Sequence, residues 1–131
     1  MSEAIYLDTN VLLDYFLKRR GSGTAYRILM RSLKCEYTLI ISDWLLTELH
    51  HYADPKETKA WFNSLIAKNK VIKIAVTDND FVDARKIDEH FQDVLHAILA
   101  NRAGAKKLVT RDMQGYVKCR HLVDPVFPED V

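Results

Sequence analysis

The chain has 131 residues and carries 19 basic against 18 acidic side chains, a formal net charge of +1. That length predicts one domain, residues 1–131, with a core of its own. A charge this close to balance excludes an overall field that would draw the molecule to nucleic acid or a membrane surface. Its two cysteines, Cys35 and Cys119, cannot staple a domain of this size, and both are expected to be reduced, small, buried hydrophobes. No apolar run approaches the roughly 20 residues needed to span a bilayer. Met1-Ser2-Glu3-Ala4 shows no cationic segment followed by an apolar one, so no secretory signal is expected and the cytoplasm is the expected location.

The elements alternate. Ala4-Ile5-Tyr6-Leu7 is a compact apolar run ending at Asp8, the pattern of a buried parallel strand. Residues 10–17 have helical spacing, Gly21-Ser22-Gly23 is a break, and Thr24 is placed to cap a second helix with Ile28, Leu29 and Leu33 on its apolar side. Tyr37-Thr38-Leu39-Ile40-Ile41 reads as the second strand. Ser42 caps a helix carrying Trp44, Leu45, Glu48, Leu49 and Tyr52. Pro55 opens another, faced by Trp61, Phe62, Leu65 and Ile66. Residues 71–76 read as the third strand. Thr77 or Asp78 starts a helix ending near His90, and a further helix from Asp93 stops before Gly104. Lys107-Leu108-Val109-Thr110 reads as the fourth strand, with Leu122-Val123 as a short edge strand. Strand–helix alternation with short connections predicts a three-layer α/β/α sandwich around a mainly parallel sheet of four to five strands.

The acids fall in a pattern on this map. Ligands of open parallel sheets bind beyond the carboxyl ends of the strands. Asp8 directly follows the first strand and Asp112 lies two residues past the fourth. Glu48 sits in the helix after the second strand, and Asp93 interrupts an apolar run at a helix start. Each alone also reads as a cap or a solvated face residue. Together they would repel one another unless a cation joined them. Oxygen donors without a nearby thiolate favour Mg²⁺ or Mn²⁺ over Zn²⁺, and such ions serve phosphodiester hydrolysis.

Asp8-Thr9-Asn10-Val11-Leu12-Leu13 after an N-terminal strand resembles the opening motif of the PIN-domain family. Thr47-Glu48-Leu49, Gln92-Asp93-Val94-Leu95-His96-Ala97 and Leu108-Val109-Thr110-Arg111-Asp112 resemble its later acidic motifs, in order and at similar intervals. The resemblance implies a metal-dependent ribonuclease with Asp8, Glu48, Asp93 and Asp112 as its acids, of the kind found in VapC-type toxins. Those are endoribonucleases neutralised by an antitoxin and usually homodimeric. Many relatives carry an acid and then Phe after Thr-Arg-Asp. Met113-Gln114-Gly115-Tyr116 keeps the aromatic but lacks that acid, which weakens the fourth corner.

Roles follow from the chemistry. Asp8, Asp93 and Asp112 are assigned to metal, and Glu48 to orienting a water or taking its proton. Thr9, Asn10 and Thr110 are assigned to hydrogen bonds with carboxylates or phosphates. Basic residues cluster in residues 18–34 and 102–121, and Arg111, beside Asp112, is expected to approach an RNA substrate. Tyr116 reads equally as a base-stacking or a core residue. His96, one turn from Asp93, reads as a core or hydrogen-bonded histidine. His50-His51 lacks zinc-protease spacing. Tyr26, Leu29 and Leu33 form a patch that could serve a homodimer or the core. A non-catalytic RNA- or protein-binding module is the alternative. A P-loop is absent, and Asn10 replaces the second Asp of a dehalogenase-like phosphatase.

Overall fold

The computed structural model describes residues 3–131. The sequence reading of Met1-Ser2 as free of a targeting signal lies outside them. Their order is β1 (Glu3–Leu7), α1 (Thr9–Phe16), α2 (Ser22–Leu33), β2 (Tyr37–Ser42), α3 (Asp43–His50), α4 (Pro55–Ala67), β3 (Val71–Ile74), α5 (Asp78–Ile87), α6 (Gln92–Arg102), β4 (Lys107–Val109) and β5 (Asp124–Val126). Short 3-10 helices follow β4 and β5, at Gln114–Cys119 and Pro128–Asp130.

The strands form one five-stranded sheet in the order β3-β2-β1-β4-β5, with every pair parallel. Chain order runs outward from β1 to β3, then returns to the other side of β1 for β4. The reversal places a switch point between β1 and β4, where a crevice opens beyond the strand ends. β1 is the central strand, and Ile5, Tyr6 and Leu7 are almost fully buried. That burial from both sides is why its sequence runs apolar without alternation. Helices α1 to α4 pack on one another, while α5, α6 and the first 3-10 helix form a second group. The expected α/β/α sandwich is thus observed. None of the helices among the described residues is long and apolar enough to cross a membrane.

Several expected boundaries shift, each for a visible reason. Thr24 does not cap α2: Ser22 N–H already donates to the Arg19 carbonyl at 2.9 Å, so the turn begins earlier, at Gly21. Tyr52 lies beyond α3 and is exposed. α5 ends at Ile87 because Asp88 turns extended and its carboxylate takes the His90 N–H. Leu122 and Val123 are not a strand: both N–H groups close a turn on the Cys119 carbonyl, and pairing starts at Asp124, which donates to Lys106 at 2.7 Å. Pro125 sits in β5, an edge strand, where its missing N–H is tolerated.

Cys119 is buried as expected, but Cys35 is exposed at the left-handed turn that ends α2, with φ 66°. The suggested dimer patch dissolves likewise. Leu29 is buried and Leu33 partly so, which leaves Tyr26 exposed beside Tyr15.

Candidate active site

Asp8 ends β1 and caps α1. Its N–H donates to the Val109 carbonyl at 2.9 Å, which extends the β1–β4 ladder and fixes the backbone. Its Oδ1 accepts the Thr9 N–H at 2.7 Å. Its Oδ2 accepts the Thr110 hydroxyl at 2.8 Å, the Tyr116 phenol at 2.9 Å and the Asn10 amide at 3.3 Å. Only 5% of Asp8 is exposed. Thr9, Asn10 and Thr110 therefore stand where a supporting shell for this carboxylate belongs. Tyr116 is fully buried, the core reading of the two; its phenol, held protonated by burial and by the charge of Asp8, is a fixed donor to Asp8.

Glu48 projects from the last turn of α3. Its Oε1 accepts two hydrogen bonds, from the Thr9 hydroxyl at 2.8 Å and from His96 Nε2 at 2.5 Å. Burial alone would raise the Glu48 carboxyl, but these bonds and the nearby His96 hold it below its usual value. His96 is wholly buried in α6. Burial opposes its charge, yet the hydrogen bond to Glu48 and the charges of Asp8, Glu48 and Asp93 carry it above the usual histidine value. Its Nδ1 lies 2.6 Å from the Tyr6 hydroxyl, itself 2.7 Å from Ser42 Oγ.

Asp93 and Asp112 make the opposite corner. Asp93 occupies the second position of α6, where the helix dipole favours an anion. It does not cap that helix; Phe91 does, without a side-chain bond. Burial, then the charge of Asp8, push its carboxyl up to about 6, with Asp112 and Glu48 adding to the shift. Asp112 is set by its own N–H on Thr110 Oγ1 at 3.0 Å and accepts the Gly115 N–H at 3.2 Å. Gly115 is why the two acids approach. A Cβ there would meet Asp93 Oδ2 at 2.1 Å and Asp112 Oδ2 at 2.9 Å.

Asp8, Thr9, Asn10, Glu48 and Asp93 line a cleft of about 430 Å³, with Leu13, Leu17 and Tyr52 as its apolar wall. Arg19 is the cation on that wall. Arg111, expected to approach substrate, instead pairs with Asp14 at 2.6 Å and Glu129 at 2.7 Å in a neighbouring cleft. Among the described residues no three His, Cys, Asp or Glu side chains gather closely enough to form a ready cation site. The donor chemistry of Asp8, Asp93 and Asp112 still fits a hard divalent ion. All are carboxylates, Asp8 Oδ1 carries a single hydrogen bond, and Asp93 bears repulsion that a cation would relieve. No thiolate competes: burial pushes the Cys119 thiol up to about 11.

Sequence reasoning missed Tyr6 and Gly115 as parts of this region, and named Arg19 only within the basic cluster of residues 18–34. Tyr6 carried one signal, a phenol inside an otherwise apolar buried strand, which demands a partner. Gly115 carried none in isolation.

These features define a doubly wound α/β protein with a carboxylate-lined cleft at its switch point. The sequence model of the PIN domain matches residues 4–114, and the chain belongs to that family. Members of the family are generally nucleases and generally use divalent metals. Among solved structures, the chain is similar in fold to a chain of VapBC2 from Rickettsia felis, solved bound to a DNA fragment from their promoter. The TM-score is 0.63 at 18% identity, over 94% of this chain and 98% of that one. No curated protein matches the sequence.

Proposed function

We propose that this chain, as one domain over residues 1–131, is an endoribonuclease dependent on Mg²⁺ or Mn²⁺. In this reading it hydrolyses RNA phosphodiester bonds and is the toxin of a type II toxin–antitoxin pair in the cytoplasm. The observation that carries the proposal is the cleft lined by Asp8, Glu48 and Asp93 at the switch point, with Asp112 near enough to join Asp8 and Glu48 in adding to the rise of the Asp93 carboxyl, which burial leads, to about 6. Asp8, Asp93 and Asp112 would hold the ion, which when bound supplies neutralising charge and an acidified water. Glu48 is bound through Oε1 alone among the described residues, so Oε2 remains to orient a water and accept its proton. Asn10, Thr9 and Thr110 hold Asp8 in place by hydrogen bonds to its carboxylate. Arg19, on the cleft wall and tied to the Asn10 carbonyl at 3.0 Å, is placed to meet a phosphate.

The antitoxin is supported by the structural comparison, and a homodimer is proposed beside it. The similar chain comes from a VapBC2 assembly. Beside the cleft, exposed Leu17, Tyr26 and Tyr52 offer apolar surface to a protein partner.

A fluor–quencher RNA and the matching DNA, incubated with Mn²⁺, Mg²⁺ or EDTA, test the reading beside Asp93→Asn prepared in the same way. The expected result is RNA cleavage that needs metal and is lost in the variant. Among the described residues no three acids or histidines gather into a ready cation site, and this favours a second reading, a binding module. That module would retain RNA in a gel shift without cutting it at any metal concentration, and would still bind as Asp93→Asn.

A further inference from the structure

We propose that His96 is a positioning residue for Glu48: the buried chain Ser42–Tyr6–His96–Glu48 locks the register of α3 so that one carboxylate oxygen faces the cleft. The inference rests on the nuclease reading for its consequence, but not for its geometry.

The chain of contacts closes on a single helix. Ser42 is the N-cap of α3 and takes the Leu45 N–H at 3.1 Å. The same Oγ meets the Tyr6 hydroxyl at 2.7 Å, and that hydroxyl meets His96 Nδ1 at 2.6 Å. His96 Nε2 then reaches Glu48, in the last turn of the helix that Ser42 begins. Both ends of α3 are thereby pinned to β1 and α6. A carboxylate only accepts here, so Nε2 carries a proton whatever the charge of the ring. Tyr6 can serve Nδ1 as donor or acceptor, with Ser42 completing either arrangement.

Packing does not call for this histidine. It stands in the run Val94-Leu95-His96-Ala97, all buried, where a leucine would fill space without burying two polar nitrogens. What a leucine could not do is hold Glu48. With the Thr9 hydroxyl and His96 both on Oε1, the carboxylate is fixed by donors from two elements, α1 and α6. Outer-shell partners of this kind matter to a site through orientation.

Three variants and two readouts test this. His96→Leu is expected to keep its fold by circular dichroism while kcat for the oligonucleotide falls roughly 10- to 100-fold, with KM nearly unchanged. His96→Gln keeps an amide N–H near the Nε2 position and should recover part of the loss. The second readout needs no activity. In ¹⁵N spectra of the metal-free protein the His96 ring should show a protonated, slowly exchanging Nε2, and Glu48→Gln should move that resonance. Folded His96→Leu with wild-type kcat overturns the proposal, as does a ring resonance that ignores Glu48→Gln. If His96→Leu fails to fold, recovery by His96→Gln and the ring spectrum decide. Should the wild type cut no RNA, the nuclease reading falls. The spectrum then decides alone: coupling between the ring and Glu48 supports the positioning role, and no coupling ends it.

Discussion

Two buried carboxylates lie in neighbouring clefts and are treated in opposite ways. Asp14, on α1, has an arginine on each oxygen: Arg19 Nε at 3.0 Å and Arg111 Nε at 2.6 Å. Gly21 leaves room for that pair, since a Cβ there would meet Asp14 Oδ2 at 2.3 Å. Asp8 caps the same helix six residues earlier and is just as buried, yet the donors bonded to it are neutral hydroxyls and amides. His96 Nε2 stands 3.8 Å from Asp8 Oδ1. Asp93, facing Asp8, has no hydrogen bond of its own among the described residues and is held partly protonated near neutrality. A carboxylate needed only for structure is neutralised by arginine, as Asp14 is. The Asp8 corner has no such arginine, and carboxylates that crowd one another in this way fit an added cation.

The largest effects should come from the uncompensated corner. Asp93→Asn is expected to abolish metal-dependent RNA cleavage, by at least roughly 100-fold, as for loss of one preorganised electrostatic group. The same variant should melt higher than the wild type in EDTA, because it removes a charge that its neighbours oppose, and the gain should vanish when Mn²⁺ is added. Asp8→Asn should do the reverse. Its amide would turn donor hydrogens toward the Tyr116 and Thr110 hydroxyls, for a loss of about 1–3 kcal/mol in urea titration. Equal melting behaviour of the two variants would remove the distinction between a braced acid and an unbraced one. At the compensated corner, Arg111→Met should destabilise by about 2 kcal/mol, below the range for a fully buried pair because Arg111 is one-third exposed. Cleavage should survive it, since Arg111 does not line the acid cleft.

Gly115→Ala comes next in size. The added methyl must displace the Asp93 carboxylate from beside Asp112. Calorimetric Mn²⁺ titration should show affinity reduced by roughly tenfold, the range expected when a ligand's support is disturbed. Unaltered affinity would mean that Asp93 and Asp112 do not act on one ion.

Much of this was legible in the sequence for a simple reason. Strand ends of a parallel sheet are marked by the change from apolar run to polar residue, so Asp8 and Asp112 announce their own location. The helix-borne acids were harder to place. Glu48 needed the helical turn count from Ser42, and Asp93 needed only its intrusion into an apolar run. What stayed hidden was long-range pairing. His96 and Tyr6 are 90 positions apart, and Tyr116 and Asp8 are 108 apart. No local pattern encodes which buried hydroxyl will meet which carboxylate. The partners of Arg111 were hidden for the same reason: adjacency to Asp112 in the chain did not reveal Asp14 and Glu129 on its other side. Pro125 and the turn on Cys119 displaced the last strand by two residues, because Leu122 and Val123 look like strand residues while their N–H groups are already used.

The smallest effect is the pH dependence of stability in the metal-free protein. Asp93 has a folded-state value of about 6, above its ordinary 3.8, so the folded state binds that proton more tightly than the unfolded chain does. Its contribution is complete below the unfolded value and is lost as pH rises to about 6. His96, also raised, loses its contribution at higher pH still, above its ordinary 6.5. Glu48 works the other way: its lowered carboxyl contributes above its ordinary 4.5 and fails only as pH falls through the depressed value. Melting temperature in EDTA should therefore decline from about pH 5 to about pH 7, by a modest amount because Asp93 is only partly buried. Asp93→Asn should flatten the lower part of that slope and leave the part due to His96. With Mn²⁺ present the lower slope should invert, because ion and proton compete for the same carboxylate. Identical slopes for wild type and variant in EDTA would show that Asp93 does not carry the strain placed on it, and would return the four acids to the status of ordinary helix-end residues.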